Sequence, residues 1–105
     1  MNQEIETRLR KISERLKKEY HAEKVILFGS YARGEETEDS DVDLLVIAPT
    51  NERLFERMAT VLEIVHDLYN GLPLSPIVLS SGDIEERLKL KDQFVHEILE
   101  NGIEL

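Results

Sequence analysis

The apolar run Lys24-Val25-Ile26-Leu27-Phe28 stops at Gly29, and a second run, Leu44-Leu45-Val46-Ile47, begins directly behind Asp41 and Asp43. Short bounded runs of β-branched and aromatic residues predict two buried strands. The chain between them opens with Gly29-Ser30-Tyr31-Ala32-Arg33-Gly34, a small-residue turn. Glycine at the strand end lets backbone N–H groups approach an anion with no Cβ in the way. Ser30 adds a hydroxyl donor, and Ala32 keeps the next turn small. If Ser30 to Gly34 form the first coil of a short helix, their free N–H groups aim at the same anion. Arg33 either adds positive charge there or pairs with one of the many neighbouring acids.

Asp41 and Asp43 follow a different period. Residues two apart in a strand share a face, so both carboxylates project one way while Val42 and Leu44 project the other. Like charges that close raise each other's pKa unless a cation separates them. Magnesium suits such a pair, since it takes one or two carboxylates and completes its shell with water and phosphate oxygens. A turn for phosphate beside a pair for a divalent cation points to chemistry on a nucleoside triphosphate.

Taken together, Gly29-Ser30-x-Ala32-Arg33-Gly34 and Ser40-Asp41-x-Asp43-Leu44 resemble the signature of the DNA polymerase beta-like nucleotidyltransferase superfamily. The length, and the closing Glu100-Asn101-Gly102-Ile103-Glu104-Leu105, are similar to its smallest branch, the minimal nucleotidyltransferase (MNT) domains. The resemblance implies an α/β (α+β) nucleotidyltransferase fold, a small mixed β-sheet packed against helices, spanning residues 1–105 as one domain. It also implies that Gly29, Ser30, Arg33 and Ser40 bind the nucleotide, and that Asp41 and Asp43 are catalytic and ligate Mg²⁺. Family enzymes carry a third carboxylate on the next strand, where it completes a two-metal site and helps activate the attacking hydroxyl. Here that strand is Leu74-Ser75-Pro76-Ile77-Val78-Leu79, the acid would fall near Ser75 or Pro76, and no Asp or Glu occurs between Asp67 and Asp83.

The activity so implied is transfer of a nucleoside monophosphate, AMP from ATP, onto a hydroxyl. MNT domains are commonly paired with a helical HEPN-domain toxin and serve as its antitoxin, so the implied acceptor is that partner. Larger relatives add a helical domain that helps bind base and acceptor, and nothing in this sequence reads as one. Two further readings stay open. One is an inactive nucleotide-binding antitoxin that neutralises its partner by complex formation alone. The other is a Mg²⁺–nucleotide sensor.

Blander explanations cover part of the pattern. Residues 35–43 hold six acids, and a charge run of that kind is usually a solvated loop. Glu35, Glu36, Glu38 and Asp39 fit that reading and receive no role. Asp39-x-Asp41-x-Asp43 matches the first half of a calcium-binding EF-hand, but the turn position is Leu44 in place of glycine and the twelfth is Thr50 in place of glutamate.

Composition narrows the classes. With 41% apolar residues the chain can build a core, which excludes disorder. No run approaches the ~18 apolar residues of a membrane span, and no leader-like stretch opens the sequence. Zero cysteines remove disulfides, thiolate nucleophiles and zinc–sulfur sites together, and suit a cytoplasmic protein. The net charge of −9 is concentrated in the centre: residues 35–67 carry ten acids against two bases. Such a surface repels polynucleotide phosphate, so unspecific nucleic-acid binding is excluded. The partners expected are a nucleoside triphosphate, a helical protein, or a second copy of the chain.

The elements read α-β-α-β-α-β-α with a short tail. Ile5, Leu9, Ile12, Leu16 and Tyr20 put one apolar face on the first helix. The middle helix is expected to start after Thr50 or Asn51 and to end at Asn70-Gly71. Its stripe of Leu54, Met58, Val61, Leu62, Val65 and Leu68, widened by Phe55, Ile64 and Tyr69, reads as extra core or a partner surface. Pro73 and Pro76 demote the third strand to an edge. Ser80-Ser81-Gly82-Asp83 reads as a helix cap, which accounts for Asp83 without catalysis. Phe94, Ile98 and Leu99 form the final apolar face. His21, His66 and His96 lack ligand spacing and read as surface residues, while Tyr31 either packs on a nucleotide or lines the turn.

Overall fold

The computed structural model describes residues 1–105. Ten elements follow in order: α1 (Gln3–Glu19), β1 (Lys24–Phe28), α2 (Ser30–Arg33), β2 (Val42–Ile47), α3 (Leu54–Ile64), α4 (His66–Tyr69), β3 (Leu74–Leu79), α5 (Ser81–Lys89), α6 (Gln93–Asn101) and β4 (Ile103–Glu104). The sheet order is β3-β2-β1-β4, with β1 antiparallel to both β2 and β4, and β2 parallel to β3. This is the small mixed sheet expected from the sequence.

Alternation along β2 divides the core. Val42, Leu44 and Val46, all fully buried, point with Val25 and Leu27 toward α1 and α3, where they meet Leu9, Ile12, Leu16, Val61 and Val65. On the other face Leu45 and Ile47 join Ile26 and Leu79 beneath Ile84, Val95 and Ile98 of α5 and α6. Both faces of β1 and β2 are covered, which is why their sequences read as near-continuous apolar runs. No helix is long and apolar enough to cross a membrane.

Several expectations hold. Leu9, Ile12 and Leu16 are fully buried, with Ile5 and Tyr20 packed at the margin. β3 lies at the sheet edge, where prolines are tolerated. Ser80 caps α5: its hydroxyl accepts from the Asp83 N–H at 3.0 Å, and the Asp83 carboxylate accepts from the Ser80 N–H at 2.9 Å. That carboxylate also pairs with Arg57 at 2.8 Å. The histidines are exposed.

Four details differ. The middle helix starts at Leu54, because the Thr50 hydroxyl is spent on a local turn, accepting from the Glu52 N–H at 3.1 Å. It breaks at Val65, where Arg15 reaches across from α1, donating to the Ile64 carbonyl at 3.0 Å and gripping Asp67 at 2.8 Å. A side chain that takes a helix carbonyl in this way is a recognised cause of a kink. The last helix is two: Lys91 turns with φ +60°, and Asp92 caps α6 by accepting from the Val95 N–H at 3.1 Å. The tail is a strand, β4, with Leu105 N–H donating to the Val25 carbonyl at 2.8 Å.

Exposure corrects the reading of the middle helix as extra core. Leu54, Phe55 and Met58 are exposed, Phe55 at 73%, so they form a surface patch. The first turn of α3 projects beyond the sheet, and only from Val61 onward does the helix reach the core.

Candidate functional site

The site grows out of the β1–β2 connection. Gly29 leaves β1 with φ +76° and ψ −156°, a region open essentially to glycine alone, and becomes the N-cap of α2. Its carbonyl accepts from the Ala32 and Arg33 N–H groups at 3.1 and 3.2 Å, closing the turn. Ser30 and Tyr31, the first residues of that helix, have no acceptor within it for their own N–H groups. The expected short coil is therefore formed. Tyr31 packs against the α1-side core, so it lines the turn.

Register sets the aspartates. Phe28 pairs with Asp43 and Asp43 with Ser75, which lines Phe28, Asp43 and Ser75 across one face of the sheet. Asp41 immediately precedes β2 and is exposed. Gly29 and Asp43 are in direct apposition: a Cβ on residue 29 would run into the Asp43 carboxylate. The turn and the Asp43 carboxylate thus come together from opposite ends of the connection.

Burial is the main cause that raises the Asp43 pKa above the ordinary carboxylate range, and the charge of Asp41 adds to it, with Arg33 acting in the opposite direction. Arg33 itself is paired with Glu35 at 3.4 Å. The side-chain hydrogen bonds of this segment join Arg33 to Glu35, Thr37 to Ser40 and Asp39 to Thr37; Ser30, Asp41 and Asp43 take part in none. Ser40 shapes the acidic loop, its oxygen accepting from the Thr37 N–H at 2.8 Å. Of the acids set aside as a solvated run, Glu36 departs from that reading. It is half-buried and held charged by the amide groups around it and by the amino terminus at 3.0 Å.

Two carboxylates in no ion pair, one of them destabilised by burial, are a donor set that fits Mg²⁺. No third His, Asp or Glu joins them as a ligand cluster. The register explains why: Ser75 occupies the place beside Asp43, and Pro76 points to the opposite face beside Leu44, where it is buried.

Sequence reasoning missed a neighbour. Between α2 and α6 lies a cleft of about 300 Å³ that borders Gly29 and Arg33 on one side and Phe94, Glu97 and Asn101 on the other. Phe94 stands 51% exposed with its ring 5.7 Å from that of Phe28, so it is not the core residue that its place in the apolar face suggested. Nothing local marks these α6 residues, because β4 and not the sequence neighbourhood brings α6 against β1. A larger depression of about 530 Å³, lined by polar residues such as Thr7, Arg8 and Asp67, opens against α1, on the face of the sheet away from Asp43.

Comparison with known proteins places the chain among nucleotidyltransferase domains. A family model described as a nucleotidyltransferase domain matches residues 9–105. The chain is 37% identical over 81 residues to a protein of Methanocaldococcus jannaschii named "Putative protein adenylyltransferase MJ1379", covering 77% of this chain and 79% of that one. A second relative from the same organism, "Putative protein adenylyltransferase MJ0141", is 32% identical over 84 residues, 79% of this chain and 78% of its own. A crystal structure described as a "putative nucleotidyltransferase" from Sulfolobus solfataricus superposes with a TM-score of 0.50 at 25% identity, over 82% of this chain and 81% of that one.

Proposed function

The chain belongs to the nucleotidyltransferase domain family, and from that premise we propose that it moves AMP from ATP onto a hydroxyl of a partner protein. The observation that carries the reading is the apposition of the Gly29 turn and the Asp43 carboxylate, with Asp41 near enough for its charge to act on Asp43. Gly29 and the first N–H groups of α2 receive the triphosphate, Ser30 adds its free hydroxyl, and Arg33 contributes charge once it exchanges Glu35 for phosphate. Asp41 and Asp43 hold Mg²⁺, which when bound neutralises phosphate charge and steadies the departing pyrophosphate. The acceptor oxygen attacks the α-phosphorus, the bond to the β-phosphate oxygen breaks, and the acceptor proton leaves to solvent or to a nearby base. The names of the relatives, which speak of protein adenylyltransferases, favour a protein acceptor.

The acceptor we assign is a helical HEPN-type toxin, with the chain acting as its cytoplasmic antitoxin. The exposed Leu54, Phe55 and Met58 give a protein partner apolar surface to cover. Ser75 beside Asp43 favours a second reading, a nucleotide-binding antitoxin that neutralises by complex formation alone, because a serine there supplies neither a metal-binding charge nor a base. A general base is worth roughly 10²–10⁴-fold, so its loss fits a slow enzyme better than none.

Incubating the chain with its toxin partner, ATP and Mg²⁺ separates the two. Intact-mass measurement should find an added AMP on the partner that vanishes with Asp41→Asn, with Asp43→Asn and with a chelator. A partner left unmodified, yet inhibited equally by all three forms of the chain, establishes the second reading.

A further inference from the structure

The cleft between α2 and α6 has no part in holding phosphate or metal, yet it begins at the same residues. Gly29 and Arg33 belong both to the turn and to the cleft wall. A ligand with its phosphates at the turn can continue into the cleft without crossing open solvent. At about 300 Å³ the cleft matches the small end of ligand sites, roughly 300–1,000 Å³, and is too small to seat a protein segment.

Its chemistry is polarised. The walls nearest the sheet are Phe28, Ala32 and the half-exposed ring of Phe94. Phe28 and Phe94 meet edge to face, 5.7 Å apart at 84°, and the 51% exposed ring of Phe94 offers surface on which a flat ring can stack. On the α6 rim, Asn101 donates its amide to a Glu97 carboxylate oxygen at 2.9 Å, and the second oxygen of Glu97 remains to accept. An anion at that rim repels phosphate and accepts from hydroxyl groups. Arg33, on the α2 side, does the opposite. A ligand with a flat ring, a diol and a phosphate tail finds a partner for each part among these residues.

We propose that this cleft is the nucleoside subsite, with the base against Phe94 and the ribose hydroxyls on Glu97. The proposal rests on the triphosphate reading of the turn. It also means that α6, held beside β1 by the β4 pairing, supplies a wall for the base.

Titration calorimetry of the whole chain with Mg²⁺ and either ATP or tripolyphosphate, which has the phosphates and no nucleoside, tests it. Phe94→Ala should weaken ATP roughly tenfold, the size expected for one lost base–aromatic stack, and leave tripolyphosphate unchanged. Glu97→Gln should weaken ATP several-fold and abolish any preference for ATP over its dideoxy analogue. Thermal melts check that both variants fold, which the exposure of both side chains favours. Unchanged ATP affinity in both variants overturns the proposal, and so does equal weakening of ATP and tripolyphosphate. A wild-type chain that binds neither ligand overturns the triphosphate reading itself, and this subsite with it.

Discussion

Asp43 fills the space that a side chain at residue 29 would need: its carboxylate lies against the Gly29 Cα, where a Cβ would collide with it. The Gly29 backbone, at φ +76° and ψ −156°, already excludes other residues on conformational grounds. Two independent constraints therefore converge on one glycine.

Gly29→Ala should cost about 1–3 kcal/mol from the backbone conformation alone. It should also push Asp43 away from the turn. The expected result is a melting temperature lower by roughly 4–20 °C, together with loss of triphosphate binding. If the variant melts normally and binds ATP as before, the apposition of turn and carboxylate is not what organises the site.

Asp43 gives a pH signature opposite in sign to that of a paired acid. Its pKa is raised in the fold, first by burial and then by Asp41. The folded state thus holds the proton more tightly than the unfolded chain. The associated stability is fully present below the unfolded carboxylate pKa, about 3.9, and is lost as pH rises through the higher folded value. Asp43→Asn, which stays neutral, should melt higher than the parent at pH 7, and the gap should close in acid. Adding Mg²⁺ at pH 7 should raise the melting temperature of the parent and leave the variant nearly unchanged. Asp83, whose pKa is lowered by the Ser80 N–H and by Arg57, behaves in the reverse sense: its contribution is present at neutral pH and lost on acidification. A metal-free parent that is more stable than Asp43→Asn at pH 7 refutes the assignment.

Ser75 stands beside Asp43 across the parallel β2–β3 pair, on the same face of the sheet. Ser75→Asp would place a third carboxylate at the metal pair. If the chain is a slow enzyme for want of that group, the variant should transfer AMP at least about tenfold faster, toward the 10²–10⁴ of an effective base. Without Mg²⁺ the same variant should melt lower, since three acids then crowd one edge. Faster turnover read by intact mass, with metal-dependent recovery of stability, is the expected pair of results. An unchanged rate means the geometry around Ser75 does not suit the reacting hydroxyl.

The part of the fold that is local in cause could be read from the chain. Gly29, the Ser80–Asp83 box and the edge prolines each act on residues a few positions away, and the structure has them as expected. The departures come from contacts distant in sequence. Arg15 bends the helix at Ile64–Val65 from 49 residues away, which no periodicity within residues 54–69 contains. Leu54, Phe55 and Met58 carry the same apolar spacing as Val61 and Val65, and only the reach of the sheet decides which of them are covered. The α2–α6 cleft depends on β4, two residues long, which offered too short a pattern to read as a strand. Asp92 and Asn2 are local signals of the same kind, N-caps that open α6 and α1.

Gly102 is a glycine for a different reason, which is space. Its φ of −71° suits any residue. A Cβ there would collide with the Ile26 side chain, and would sit 2.6 Å from the Ile98 carbonyl oxygen and 3.2 Å from that of Leu27. The α6–β4 corner is therefore seated directly on β1, and Gly102 N–H donates to the Ile98 carbonyl at 2.8 Å. Gly102→Ala should cost about 1–3 kcal/mol by overpacking, seen as a melting temperature lower by several degrees. Because α6 must back away from β1 to admit the methyl group, the cleft should widen as well. ATP affinity should then fall while tripolyphosphate affinity holds. Were the variant to melt as the parent does, α6 would have to slide freely on the sheet, and the corner formed by β4 would not be what fixes it.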